Sequence, residues 1–245
     1  MKVLMMASYG LEIVECGGAI AKAVAAGDEV SAAVLMSRPE SRPQVTKAAA
    51  MLGVDEVEFL GVAFGEVDLG SSTKCTVVEV IRRTRPDVVI MQDPQHAQHD
   101  LDPDRRVIAI LFAEALAVAS RDWRIEECGG YEPHSIPTIY YMTPEHPNCV
   151  VEISDHLDAK LRAVEVLESQ NTFSAEHWRD GSSDEVLRSV VPAWTDGEMA
   201  TLGREGQRVI FTALALASGL ASHSGAVLGE AYRREGSFVL DRLTP

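Results

Sequence analysis

The sequence predicts an α/β fold with a doubly wound parallel sheet and helices on both faces of the sheet. Apolar, strand-like segments alternate with segments of helical spacing over residues 1–170. Several strand-like segments are apolar throughout, as in strands that are buried on both faces. No internal repeat or low-complexity linker interrupts the chain. We therefore expect one domain, with a core over residues 1–170 and a C-terminal helical extension, residues 171–245, packed on it.

Glycines and short polar clusters mark the ends of the predicted elements. Gly27, for example, ends a helix because glycine adopts the left-handed conformation that closes one. Lys160 and Arg162 are expected on the solvent side of the helix over residues 155–169. Residues 171–203 are polar and are expected to be irregular. The predicted strands are at residues 2–7, 30–36, 57–60, 87–91, 138–142 and 148–153, the helices are at residues 15–27, 42–52, 73–84, 106–120, 155–169 and 207–220, and a tail covers residues 228–243.

Composition and charge limit the classes of partner. The formal net charge is −15, from 22 basic and 37 acidic residues, and it repels nucleic acid and anionic membrane surfaces. The four cysteines form no C-x-x-C pair, and no segment resembles a signal peptide or a membrane span. We therefore expect a cytoplasmic protein with a small-molecule substrate. The apolar helix over residues 207–220 could form a homo-oligomer interface or cover the sheet.

Two polar loops follow predicted strands, at residues 8–12 and 92–104. Parallel sheets bind ligands outside the carboxyl ends of their strands, so these two loops are the candidate ligand-binding and catalytic sites. Two histidines and three of the four aspartates in the second loop lie close together in the sequence, and a divalent ion could use them as ligands: His96, His99, Asp100, Asp102 and Asp104. A solvated acidic loop with surface histidines is the alternative, and the spacing leaves both open.

Short segments spread over most of the chain carry a resemblance to a known family. They are residues 3–25 with Cys-Gly-Gly-Ala-Ile-Ala, residues 49–54 and 59–61, Arg85-Pro86-Asp87-Val88-Val89, residues 151–155 with Lys160, and Ser169-Gln170. In these segments the chain resembles the PIG-L or LmbE-like deacetylases, and the resemblance implies a Rossmann-like fold and a zinc-dependent hydrolysis of N-acetyl groups on amino sugars. The tail, with Gly-Glu-Ala-Tyr-Arg-Arg at residues 229–234 and Val-Leu-Asp-Arg-Leu at residues 239–243, resembles the branch that contains oxalomesaconate hydratase.

Both metal-binding motifs of that family are altered here. The first motif, His-Pro-Asp-Asp-Glu, matches Ser-Tyr-Gly-Leu-Glu at residues 8–12, so only Glu12 is retained. The second, His-Pro-Asp-His, matches Asp-Pro-Asp-Arg at residues 102–105, which puts Arg105 where the family has a metal ligand. A catalytic zinc needs about three protein ligands of N, O or S type. Leu11 offers none and a guanidinium repels the ion. We therefore predict no zinc cofactor.

Arg105 places a fixed positive charge at the floor of the predicted crevice. A guanidinium matches a carboxylate or phosphate in a bidentate manner, so Arg105 could anchor an acidic substrate. It could equally pair with Glu12, Asp102 or Asp104 and fill the volume of the lost metal. The two interpretations are compatible, and both stay open.

The remaining candidate residues are polar side chains near the same loops. Glu12 and Asp104 could transfer protons, and the hydroxyls of Tyr9 and Ser8 could assist once a neighbouring base or cation activates them. Structural roles in packing or hydrogen bonding are the alternative for each. The resemblance also places Arg42 where the family keeps an arginine near its substrate. The candidate substrate-binding residues are Arg42, Tyr141, His146, His99 and Asp102.

The favoured hypothesis is a divergent, metal-independent enzyme with hydratase or lyase chemistry on a small acidic or polyhydroxylated metabolite. The hydratase-like tail favours this chemistry over amide hydrolysis. A catalytically inactive binding or regulatory module is the first alternative. A conventional zinc-dependent N-acetyl hydrolase with unrecognised ligands is the second.

Overall fold

The computed structural model of the chain describes residues 1–236 and contains one seven-stranded sheet with the strand order β3-β2-β1-β4-β5-β7-β6. Residues 239–243, which contributed to the resemblance of the tail, lie outside the described residues. The strands are β1 (Lys2–Ala7), β2 (Glu29–Val34), β3 (Glu56–Phe59), β4 (Val88–Gln92), β5 (Thr138–Met142), β6 (Cys149–Glu152) and β7 (Gly229–Arg234).

Ten α-helices and one short 3₁₀-helix, Leu220–Ser222, connect these strands within the described part of the chain. None of the helices in residues 1–236 has the length and apolarity needed to cross a bilayer. The α-helices are α1 (Leu11–Glu15), α2 (Gly17–Ala25), α3 (Arg42–Met51), α4 (Ser71–Thr84), α5 (Pro94–Ala97), α6 (Pro103–Ala119), α7 (Leu157–Glu165), α8 (Glu168–Gly181), α9 (Asp184–Arg188) and α10 (Met199–Ser218).

The predicted α/β class is confirmed, and five strands, β1 to β5, pair in parallel. The sheet differs from a fully parallel one at the edge that contains β7 and β6. There β7 lies between β5 and β6 and pairs antiparallel with both. In the chain β7 follows α10 and comes after β6, so a strand of the predicted extension is part of the sheet.

Two apolar clusters, one on each face, explain the continuously apolar strands. In β1, Met5 and Ala7 point to one cluster, whereas Leu4 and Met6 point to the other, because successive side chains in a strand alternate. Residues of α2, α3 and α7 cover the first face, and residues of α4 and α6 cover the second. A third, smaller cluster surrounds Trp194 beneath α8 and α10.

Three predicted elements differ from the structure in ways that affect the site. The helix predicted from residue 106 begins at Pro103, after Asp102 as its N-cap, so Asp104 and Arg105 lie in the first helical turn. The segment 171–203 is not irregular, because α8 and α9 occupy much of it. The prediction that Lys160 faces solvent is wrong, since its side chain is only 5% exposed.

Candidate active site at the carboxyl ends of the strands

A cavity of about 420 Å³ opens at the carboxyl ends of β1 and β2, beside the N-terminus of α6. Its rim carries exposed aromatic rings, Phe64 and Phe173, in addition to polar groups. Exposed apolar side chains beside convergent polar groups are typical of ligand-binding clefts. The lining side chains are those of Tyr9, Leu11, Met36, Ser37, Arg38, Ser41, Gln44, Val45, Phe64, Asp102, Asp104, Arg105, Leu167, Ser169, Gln170 and Phe173.

The loop between β1 and α1 is anchored by the buried carboxylate of Glu12. One oxygen of Glu12 accepts the backbone N–H of Ser8 at 3.2 Å, and the other accepts the N–H of Gly10 at 2.9 Å and that of Tyr9 at 3.2 Å. Gly10 adopts a φ of 104°, a conformation that side chains with a Cβ disfavour. Glu12 is 1% exposed and does not line the cavity. The structure therefore gives Glu12 an architectural role, and proton transfer by it stays a prediction.

Asp102 and Asp104 are also held by backbone and loop groups. Asp102 caps α6 by accepting the N–H of Asp104 at 2.9 Å, and its other oxygen accepts the hydroxyl of Tyr9. Asp104 accepts the backbone N–H of Gly65 at 2.8 Å. These bonds join the loops after β1 and β3 to the N-terminus of α6. The two aspartates therefore line the cavity and also hold the loops around it in place.

Tyr9 presents a ring rather than an ionisable hydroxyl to the cavity. Burial and the hydrogen bond to Asp102 raise the pKa of Tyr9 well above its usual value. The hydroxyl therefore stays protonated and acts as a donor. Ser8 is 3% exposed and lies outside the cavity lining, so its predicted catalytic role has no support from its position.

Arg105 lies at the cavity with its guanidinium 5.3 Å from the centre of the Tyr9 ring. Its nearest ion-pair partner is Asp100, at 3.7 Å, and the side chain remains 25% exposed. Burial opposes the charge, yet the negative charges of Glu12, Glu15 and Asp100 hold the pKa of Arg105 above its usual value. A 3.7 Å pair is longer than a strong charge-assisted hydrogen bond, so the guanidinium keeps donors available for a ligand.

Arg38, which the sequence analysis did not single out, brings a second guanidinium to the cavity. It lies 5.6 Å from the centre of the Phe64 ring, and Phe64 stacks on Tyr9 with ring centres 5.7 Å apart. Arg38, Phe64, Tyr9 and Arg105 therefore form a row of consecutive contacts, in which each guanidinium lies against one ring of the aromatic pair. The sequence signal that could have identified Arg38 is its position in the polar loop after β2.

Four other predicted residues lie outside the lining of this cavity. Arg42 packs on Phe59 and donates at 3.0 Å to the hydroxyl of Ser37, which lines the cavity, but Arg42 itself is not a lining residue. Tyr141 is buried beneath Arg233, and burial together with the charge of Glu235 raises its pKa to about 12. The remaining two, His99 and His146, are exposed on loops.

The residues at the family's metal positions do not fit a zinc ion. Leu11 has no donor atom, Ser8 is buried under the loop, and Arg105 brings a positive charge to the third position. In the described part of the chain, no group of three or more His, Cys, Asp and Glu side chains is arranged to hold a metal. In the His96 to Asp104 loop, His96 is directed to Glu145 instead, at 2.8 Å.

A second polar cluster, unforeseen from the sequence, lies behind α1. The Lys160 ammonium contacts the Glu230 carboxylate at 2.8 Å and the backbone oxygen of Glu15 at 2.6 Å. The same carboxylate accepts the N–H groups of Gly18 and Ala19, each at 2.9 Å, at the start of α2. The hydroxyl of Tyr232 donates to it at 2.9 Å. This cluster lines a smaller cavity of about 230 Å³, and Glu15 is another of its lining residues.

Comparison with known proteins supports the fold. No family model matches the chain. The diacetylchitobiose deacetylase of Thermococcus kodakarensis is 34% identical over 134 residues, which are 54% of this chain and 49% of the relative. The match thus spans about half the length of that relative.

Two solved structures cover nearly the whole chain. The N,N'-diacetylchitobiose deacetylase of Pyrococcus horikoshii has a TM-score of 0.70 at 21% identity, over 95% of this chain and 83% of its own. The 4-carboxy-2-hydroxymuconate hydratase of Pseudomonas putida KT2440 has a TM-score of 0.68 at 20% identity, over 99% of both chains. The structural neighbours are thus LmbE-like deacetylases and a hydratase, which confirms the predicted resemblance at the level of the fold. The loss of the zinc site stays a prediction.

Proposed function

We propose that this protein is an enzyme of the LmbE-like fold that binds a small acidic or polyhydroxylated metabolite in the 420 Å³ cavity. Hydratase or lyase chemistry is the favoured reaction class, and no step of it uses the family's zinc. The solved hydratase with this fold supports the reaction class. The two guanidinium groups that line the cavity support an acidic substrate.

The observation that carries this proposal is the row formed by Arg38, Phe64, Tyr9 and Arg105. The two cations that line the cavity can hold the carboxylate of a ligand, and the aromatic pair that they contact offers an apolar surface for its carbon skeleton. Gln44 and Gln170 line the same cavity and can bond hydroxyl groups. A ligand with one carboxylate, a short carbon chain and hydroxyls matches this arrangement.

A binding or regulatory module is the second candidate. The oxygens of Glu12 that could accept a proton are occupied by backbone N–H groups, and both oxygens of Asp102 and one oxygen of Asp104 also accept hydrogen bonds. A cavity with anion-binding groups and no mobile proton would bind without turnover. The deacetylase relative supports the remaining alternative, a zinc hydrolase with other ligands.

The experiment is a binding and turnover screen with small mono- and dicarboxylates and their hydroxy derivatives. We expect Arg105→Met and Arg38→Met each to weaken binding of a recognised carboxylate by at least about tenfold, since one charge-assisted hydrogen bond contributes about 1.5–3 kcal/mol. Arg188→Met, on the exposed surface of α9, is the matched control and should bind as the wild type does. Unchanged binding in both cavity variants would place the site elsewhere.

A further inference from the structure

The C-terminal half of α10 carries an apolar stripe on its outer face. Val209, Leu216 and Leu220 are 43%, 41% and 60% exposed, although each is a large aliphatic residue. Ala213 and Ala217 are exposed between them. These positions recur every three to four residues, so they follow one side of the helix and of the short 3₁₀ turn that continues it. The stripe is about 16 Å long at 1.5 Å per residue.

The other side of α10 is part of the folded chain. It carries the buried residues Leu202, Phe211 and Ala215, and the helix packs on α7, α8 and β7. Val227 extends the exposed side, because it is 53% exposed and its backbone oxygen accepts the N–H of Leu220 at 3.2 Å. Single exposed apolar residues are ordinary, whereas a contiguous row of them marks a site of interaction.

Charge distinguishes this surface from the rest of the chain. Residues 209–229 contain no Asp, Glu, Lys or Arg, although 24% of all residues are charged and the formal net charge is −15. Two copies of such an acidic protein repel each other wherever their acidic surfaces meet. A surface without charges avoids this repulsion, and the centre of protein interfaces is depleted of charged residues. The stripe is therefore a surface at which two copies can approach.

The size of the stripe matches the apolar part of a dimer interface. Together with Val227 it exposes roughly 400–500 Å² of apolar area, which is as much as the largest apolar patch of a typical monomer. A standard interface buries about 800 Å² per partner, and somewhat more than half of this area is apolar. A membrane surface is a poorer occupant, because the net charge of the chain repels anionic lipids.

We propose that the apolar stripe binds a second copy of this chain, with the two α10 helices antiparallel about a two-fold axis. A two-fold interface uses the same patch on both subunits. With the axis level with residues 214 and 215, Val209 faces Leu220 of the second copy, and Ala213 faces Leu216 of the second copy. The small side chain then meets a large one, which lets the two helices interdigitate.

Electrostatics favours this antiparallel arrangement over a parallel one. Glu205 is exposed four residues before Val209, at the N-terminal end of the stripe. Parallel helices would bring the two Glu205 carboxylates together, and like charges in contact weaken an interface. Antiparallel helices place them at opposite ends of the interface and also oppose the two helix dipoles.

Sedimentation velocity of the purified chain, at concentrations from about 1 to 100 µM, tests the interface, since interfaces of this size have Kd values in the micromolar range or below. We expect a dimer. Ala213→Glu should weaken it by at least about a hundredfold, because two carboxylates would be buried near the axis. Ala117→Glu, at an exposed position of α6, is the matched control and should dimerise as the wild type does. A wild-type monomer at 100 µM, or a dimer that Ala213→Glu leaves intact, would overturn the proposal.

A mixing experiment tests the pairing of the two helices. Leu216→Lys alone should also dissociate the dimer, because two ammonium groups would lie near the axis. An equimolar mixture of the Ala213→Glu and Leu216→Lys proteins should dimerise again. In each mixed pair the new carboxylate faces the new ammonium, and the other contact between positions 213 and 216 is unchanged. A mixture that stays monomeric, while the wild type dimerises, would overturn the antiparallel pairing.

Discussion

Replacing Glu230 by glutamine should destabilise the protein more than replacing either arginine that lines the large cavity. Glu230 accepts four hydrogen bonds, two of them from the start of α2 and one from the buried ammonium of Lys160. The Lys160 and Glu230 side chains are 5% and 7% exposed. Removing one partner of a buried ion pair costs about 3–5 kcal/mol, because the other charge remains buried. We expect a loss in this range for Glu230→Gln in guanidinium-induced unfolding.

The partner substitution, Lys160→Met, should cost less, about 1–3 kcal/mol, because Glu230 keeps two backbone N–H groups and the Tyr232 hydroxyl. The double variant should lose at least about 1 kcal/mol less than the sum of the single losses. Arg162→Met is the matched control on the same helix, since its pair with Asp158 is exposed, and it should change stability by less than about 1 kcal/mol. Additive losses, or a loss below about 1 kcal/mol for Glu230→Gln, would refute this account of the cluster.

Three further changes have defined outcomes in unfolding experiments. Asp102→Ala removes the N-cap of α6 and should cost about 1–2 kcal/mol, with an intact far-ultraviolet spectrum. Gly203→Ala would put a Cβ 1.8 Å from the backbone oxygen of Asn171 and should cost about 1–3 kcal/mol, whereas Gly181→Ala, with no described atom within 4 Å of the new Cβ, should be nearly neutral. Glu15 has a folded-state pKa raised from 4.5 to about 7, so its contribution to stability is complete below about pH 4.5 and is lost as the pH rises to about 7. The wild type should therefore lose about 1–3 kcal/mol relative to Glu15→Gln across that interval, and parallel pH profiles of the two proteins would contradict the shift.

The sequence was sufficient to predict the helices and strands whose signals depend on neighbouring residues. The apolar run of β1, the glycine at the end of α2 and the alternation through β5 all depend on neighbouring residues, and they appear in the structure close to the predicted positions. The start of α6 could also have been found, since Asp102 followed by Pro103 is a typical N-cap and first helical residue.

The features that sequence reasoning missed depend on distant segments. Lys160 was expected in solvent because its partner, Glu230, lies 70 residues away on a strand that inserts between β5 and β6. The sequence did not point to Arg38, because its link to Tyr9 runs through Phe64, a residue of a different loop. The three backbone N–H groups that Glu12 accepts could not be foreseen either, because they depend on the folded conformation of the loop, whereas proton transfer by Glu12 stays a prediction.

The most direct test of the proposed site is the electron density of crystals grown with a small dicarboxylate such as succinate. The account predicts a carboxylate in the cavity beside Tyr9, within hydrogen-bond distance of the Arg105 guanidinium and close to Arg38. A metal ion bound in this cavity, with Arg105 displaced from it, would contradict the account. A dicarboxylate bound away from Arg105 would contradict it equally.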